Sequence, residues 1–164
     1  MIHRDTSIIC DIGYKNPYGY VSDLTRTYGY FSIQNGSSIN NIQRFHTIYS
    51  MVEWTKRELE RSIKRKLEKG EDISWEGLNM ETHSLLLNWI AHHKSKFYIR
   101  DEEEWNENIE TLSSDFTRIF FYHSVGHFIG LEVHEEGSKE VSKLVEGCVF
   151  TLEYHPCLIG MDLS

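Results

Sequence analysis

The longest periodic stretch runs from Asn41 to Lys69, where apolar residues recur at helical spacing: Ile42, Phe45, Tyr49, Val52, Leu59, Ile63 and Leu67. Such spacing predicts one apolar stripe on a long helix. Glu53 with Arg57 and Glu60 with Lys64 are oppositely charged pairs four apart, suited to its wet side. Gly70 follows the last lysine and predicts a stop. A second helix is expected after Asp72 or Ser74, carrying Leu78, Leu85, Leu86, Trp89 and Ile90. Upstream, Thr6 to Asp11 reads as a buried strand through Ile8, Ile9 and Cys10, and a second strand runs from about Tyr20 to Ile33. Asn16-Pro17-Tyr18-Gly19 between them is turn chemistry, because Pro fixes φ and Gly tolerates positive φ. Together these predict a β-hairpin.

Asn35-Gly36-Ser37-Ser38 reads as a loop, and the acidic run Asp101 to Glu104 as a solvated loop or insertion. Ile119 to Tyr122 is a strand-like apolar run, and Leu131 to His134 and Cys148 to Glu153 alternate as strands do. Gly126 and Gly130 punctuate the segment between. The expected order is β-β-α-α-β-β-β, an α+β class with antiparallel pairing.

At 164 residues, with two prolines and no Ser/Gly-rich linker, the chain is expected to form one domain over 1–164. Its 40% hydrophobic and 26% charged residues exclude a disordered or collagen-like chain. A net charge of −8 without a basic stripe argues against nucleic acid and anionic membrane as partners. The three cysteines, Cys10, Cys148 and Cys157, have no C-x-x-C spacing, which disfavours a disulfide framework and a cysteine zinc site. No apolar run reaches membrane-spanning length, and the first residues lack a signal-peptide layout, so a soluble cytoplasmic protein is expected.

Chemistry concentrates in three places. If the hairpin folds about Pro17, Asp11 and Asp23 lie directly opposite, with Cβ atoms roughly 5 Å apart. Like charges so placed call for a proton or a cation. On spacing alone, a looser turn in another register, with each aspartate facing water or capping a turn, is the somewhat better reading. The second place is His123-Ser-Val-Gly-His127-Phe-Ile-Gly-Leu-Glu-Val-His134-Glu135, three histidines interleaved with glycine. Imidazole suits first-row divalent metals and acid/base work near neutral pH. The third is Glu153, a carboxylate in an apolar strand that is costly to bury unless paired. An outward position on an edge strand would explain it equally well. Two Asp, one His and one Glu form a hard ligand set suited to manganese, cobalt or zinc in a catalytic site.

Asp11-Ile-Gly…Tyr20-Val-Ser-Asp23-Leu-Thr-Arg-Thr27 resembles the D-x-G…Y-x-x-D-x-T-R-T signature of the pita-bread metallopeptidases. His123-x-x-Gly126-His127-x-x-Gly130-Leu-Glu-Val-His134-Glu135 resembles the corresponding segment of the Xaa-Pro branch, aminopeptidase P and prolidase. Glu-Gly-Cys-Val-Phe-Thr-Leu-Glu153 resembles the strand that brings a further ligand. The resemblance implies a curved antiparallel sheet with helices on one face and a dinuclear site for two divalent ions, manganese first, with cobalt or zinc as alternatives. In it Asp11 binds one ion, Asp23 bridges both, and His127 and Glu153 bind the second. Glu153 also acts as general base, while His123 and His134 contact substrate and stabilise the tetrahedral intermediate. The implied activity is hydrolysis of short peptides with proline at the second position, by an aminopeptidase or dipeptidase, with a homodimer open.

The match departs from the pattern in places. The two aspartates are 12 positions apart (11 to 23), one more than usual, which an extra turn residue or a bulge absorbs. Glu153 is followed by Tyr-His rather than Pro-Gly. The chain stops at Ser164, before the family's last bridging glutamate, and opens directly on the first ligand strand. It is therefore expected to be a partial pita-bread domain, either a piece of an enzyme or a degenerate relative. The alternatives weighed are an inactive module that binds peptide or protein, metal-free C–N cleavage of a small guanidino compound, and a methionine aminopeptidase. The missing last glutamate favours the first, the four retained ligands count against the first two, and the T-R-T and G-L-E-V-H-E details disfavour the third.

Overall fold

A computed structural model describes residues 6–30, 37–93, 121, 123–135 and 143–153. In chain order these form β1 (Thr6–Lys15), β2 (Val21–Tyr30), α1 (Ser37–Lys69), β3 (Ile73–Ser74), α2 (Trp75–His92) and β4 (Lys143–Leu144).

β1 and β2 make the expected antiparallel hairpin, in a different register. Lys15 pairs with Val21, Gly13 with Asp23 and Asp11 with Thr25. Asp11 and Asp23 are therefore diagonal neighbours rather than opposite. The cause is Asn16. Its Oδ1 accepts from the backbone N–H groups of Tyr18 and Tyr20, both at 3.0 Å, while Gly19 N–H donates to Asn16 O at 2.9 Å. This asparagine-centred loop spans five residues and moves the fold axis from Pro17 to Tyr18. Nor is β1 buried: Ile9 is 42% and Ile12 56% exposed. Among the described residues it pairs on one edge only, with β2.

α1 is the long helix of the periodic stretch. Its buried row is Ile48, Met51, Thr55, Leu59, Ser62 and Ile63, spaced by threes and fours. The stripe is rotated from the expected one, leaving Tyr49 and Leu67 exposed. Thr55 can enter the core because its hydroxyl donates to Met51 O at 2.8 Å. The helix ends at Gly70, whose φ of 68° is left-handed. Gly70 N–H donates to Leu67 O and Glu71 N–H to Lys66 O, a Schellman closure that satisfies two terminal carbonyls.

Of the two expected starts for α2, Ser74 is the cap, its hydroxyl accepting from Gly77 N–H at 3.1 Å. α2 buries Leu78, Thr82, Leu86, Trp89 and Ile90. These join the α1 row and Ile73, Phe121 and Val125 in one core. Beyond α2, residues 125–129 run antiparallel to 149–153. Ile129 N–H donates to Val149 O, Thr151 N–H to His127 O and Glu153 N–H to Val125 O, and Phe128 bridges Phe150. Cys148 to Glu153 is thus extended from Val149 onward.

Leu131 to His134, expected as a strand, is instead a tight loop. Gly130 N–H donates to Glu132 O at 3.2 Å, and Glu135 Oε1 takes the N–H groups of Leu131 and Glu132 at 2.7 and 3.2 Å. A local carboxylate acceptor outcompetes ladder pairing here. Of Ile119 to Tyr122 only Phe121 is described, and the acidic run 101–104 lies outside the described residues. No described helix is long and apolar enough to cross a membrane.

Candidate metal centre

The helices form the floor of the site. Phe121 and Val125 are 4% and 0% exposed within the α1–α2 core, and Val125 N–H donates to Asn79 Oδ1 of α2 at 2.8 Å. These anchors fix the height at which His123 and His127 emerge. The hairpin is tied to the same segment at its far end, where Val21 N–H donates to Gly130 O at 2.9 Å. Residues 21, 23, 25 and 27 of β2 form its half-buried face, so alternation turns Asp23 inward.

Three predicted residues meet there. His127 Nε2 lies 2.6 Å from Glu153 Oε1 and 3.4 Å from Asp23 Oδ2. One ligand atom from each of Asp23, His127 and Glu153 can be chosen so that all lie within 4.8 Å of one another, and all three residues are half-buried. His127 Nδ1 lies 3.0 Å from Phe128 O. The carbonyl can only accept, so Nδ1 carries the proton and the neutral ring keeps its lone pair on Nε2. That Nε2 is buried and makes no hydrogen bond among the described residues. A lone pair facing two carboxylate oxygens is repulsive unless something positive stands between them. The imidazole can gain a second proton, or a cation can accept all three donors. Two carboxylates and one oriented imidazole suit a first-row divalent ion, with Phe128 O supplying the outer contact that fixes the tautomer.

The other predicted residues sit around this group. Asp11 is exposed on β1, opposite Thr25 and diagonal to Asp23 on the same face, and is not among the three converging residues. His134 is exposed, with its ring 4.3 Å from that of His127 at 40°. His123 is half-buried, its Nδ1 2.7 Å from Ser124 O and its ring 5.4 Å from Phe121.

Two contacts escape a reading by residue type. Thr151 Oγ1 lies 2.8 Å from Glu153 Oε1 and 3.1 Å from His127 N. Residues 151 and 153 share a face by strand alternation, which is the signal that pairs them. Asn79 has no such signal, because its partner is a backbone N–H 46 residues away. Beside the three residues a cleft of about 620 Å³ opens between β2, the 149–153 segment and Tyr49, Val52, Glu53 and Lys56 of α1.

A family model described as metallopeptidase family M24 matches residues 1–160. A curated Xaa-Pro dipeptidase of Shewanella denitrificans is 26% identical over 131 residues, covering 80% of this chain and 24% of that protein. Zinc-substituted Escherichia coli aminopeptidase P in complex with product superposes with a TM-score of 0.54 at 22% identity, over 89% of this chain and 29% of that one. A histidine-to-alanine variant of the same enzyme gives 0.54 at 21% identity, with the same coverage. The fold is thus the pita-bread fold of aminopeptidase P, and the chain spans about a quarter of the length of the curated relative. Metallopeptidases of this family use divalent metal ions, which agrees with the donor set at Asp23, His127 and Glu153. By the match along nearly its whole length, the chain belongs to metallopeptidase family M24.

Proposed function

We propose that residues 1–164 form a single partial catalytic domain of a peptidase that cleaves short peptides with proline at the second position, with two divalent ions, preferably manganese. The observation that carries this is the convergence of Asp23, His127 and Glu153 around an Nε2 that makes no hydrogen bond among the described residues. Asp23 is the candidate bridge between ions, with Asp11 on the neighbouring strand beside it. When bound, divalent ions supply Lewis acidity that acidifies water and polarises a peptide carbonyl.

The side chains do the rest. Glu153 holds a proton acceptor beside the group, so it is the general base. His134, exposed above the His127 ring, can donate to a peptide oxygen from the solvent side. His123, half-buried beside Phe121 with its Nδ1 engaging Ser124 O, is the second candidate substrate contact. The cleft beside Asp23 and Glu153 gives an extended peptide room. Free thiols at Cys10 and Cys148 fit a reducing, cytoplasmic setting. The metal-free, peptide-binding alternative is disfavoured, since such a module has no physical need for three converging ligand side chains.

The test is calorimetric titration of the full chain with Mn²⁺, followed by an assay on Xaa-Pro dipeptides against matched peptides without proline. Mn²⁺ binding and proline-dependent turnover are expected. A chain that binds Mn²⁺, Co²⁺ and Zn²⁺ no better than its Asp23→Ala variant would overturn the reading.

A further inference from the structure

Thr151 holds a position that its ladder geometry does not require. In the antiparallel pairing of 125–129 with 149–153, Thr151 N–H donates to His127 O at 2.8 Å. The return bond would run from His127 N–H to Thr151 O. It runs instead to the Thr151 hydroxyl, at 3.1 Å. The same hydroxyl is 2.8 Å from Glu153 Oε1 and 3.4 Å from His127 O. A hydroxyl has one proton to give, and the shorter, charge-assisted contact to the carboxylate takes it. One side chain thus accepts from the backbone of His127 and donates to the carboxylate of Glu153.

We propose that Thr151 is a positioning residue that sets the two ligand-bearing segments, at His127 and Glu153, in a fixed relation for cation binding. The inference rests on the metal-binding reading above. Neither Thr151 bond touches the ion. Holding the amide fixes the backbone from which the imidazole springs. Holding Oε1 restricts the rotamers of Glu153 and leaves that oxygen a lone pair for the centre. Without the hydroxyl, the His127 N–H loses its acceptor in a half-buried place, and Glu153 recovers rotamer freedom that binding must then remove. Outer contacts of this kind typically change metal affinity by about 10–100-fold.

The experiment titrates the full chain with Mn²⁺ by calorimetry, comparing wild type with Thr151→Val, Thr151→Ser and Asp23→Ala. Circular dichroism of the metal-free proteins checks folding. Thr151→Val keeps the shape and loses the hydroxyl, and should bind at least tenfold more weakly; Thr151→Ser restores the hydroxyl and should stay within about threefold of wild type. Thr151→Ala replaces the valine variant if that one fails to fold. Wild-type binding matched by a folded, hydroxyl-free variant overturns the inference alone. So does a serine variant that binds as weakly as the valine one, because the methyl group rather than the hydroxyl would then matter. Wild type that binds no better than Asp23→Ala overturns the metal reading and this inference with it.

Discussion

The carbonyl oxygen of Thr151 lies 2.0 Å from the point where a Cβ on Gly126 would stand. Nothing but hydrogen fits there without moving backbone. Gly126→Ala should therefore push the 125–129 and 149–153 segments apart. Overpacking of this kind costs about 1–3 kcal/mol. Because His127 and Glu153 ride on the two separated segments, cation binding should weaken along with stability. Urea unfolding of wild type and Gly126→Ala checks the first part and Mn²⁺ titration the second. An alanine variant as stable as wild type would mean the two segments do not pair this closely.

Asp23, His127 and Glu153 bring like charge and a lone pair together, so the folded chain should gain from any divalent ion they share. A ligand that binds only the folded state adds about 2.7 kcal/mol at 100 times its Kd. The unfolding temperature should rise on adding Mn²⁺ and fall back with chelator. His127→Ala should abolish the rise while leaving the metal-free protein folded, since His127 lies at the half-buried rim rather than in the α1–α2 core. Scanning calorimetry with and without Mn²⁺ reads both. An equal rise in His127→Ala would place the ion elsewhere.

The helices were legible in the sequence because their signals are local. Gly70 follows a lysine, Ser74 precedes the apolar pattern, and period and cap agree. The hairpin was legible as an element but not in register, because Asn16 Oδ1 gathers two backbone donors and moves the axis by one residue. That single step is what separates Asp11 from Asp23. The Leu131–His134 loop alternates in sequence like a strand. It folds otherwise because Glu135, several residues on, captures its N–H groups. Asp23, His127 and Glu153 stood out by residue type, whereas the Asn79 and Thr151 contacts depend on tertiary approach.

Glu81 of α2 and Lys66 of α1 form a half-buried ion pair at 2.6 Å that crosses between the helices. Burial raises the Glu81 carboxyl, but hydrogen bonds from Lys66 and Ser62 and the charges of Lys66 and Arg65 together outweigh it, leaving the group below its ordinary 4.5. The unfolded chain then takes up the proton first as pH falls. The stabilisation is complete above 4.5 and is lost as pH drops through the lowered folded value. Glu81→Gln should be less stable than wild type at pH 7, with the gap narrowing at pH 3. Urea midpoints at the two pH values measure this, and a gap that holds constant would show that the charge contributes nothing.

His83, also on α2, behaves as a second acid-sensitive group with a different cause. Its ring meets the buried Phe121 ring edge-on at 5.2 Å, and burial pushes its pKa below the ordinary 6.5. Desolvation disfavours the imidazolium, so the folded chain resists a proton that the unfolded chain accepts. Stability from the neutral ring is complete above 6.5 and drains as pH falls through the depressed folded value, a window above that of Glu81. The contribution of His83 is read as the difference between wild type and a variant at each pH. His83→Gln should be the less stable protein at pH 8, where it loses the ring contact with Phe121, and should close part of that gap by pH 5, where wild type alone bears the cost of a half-buried, protonatable ring. Parallel unfolding curves for the two proteins from pH 8 to pH 5 would show that the ring reaches solvent in the folded state.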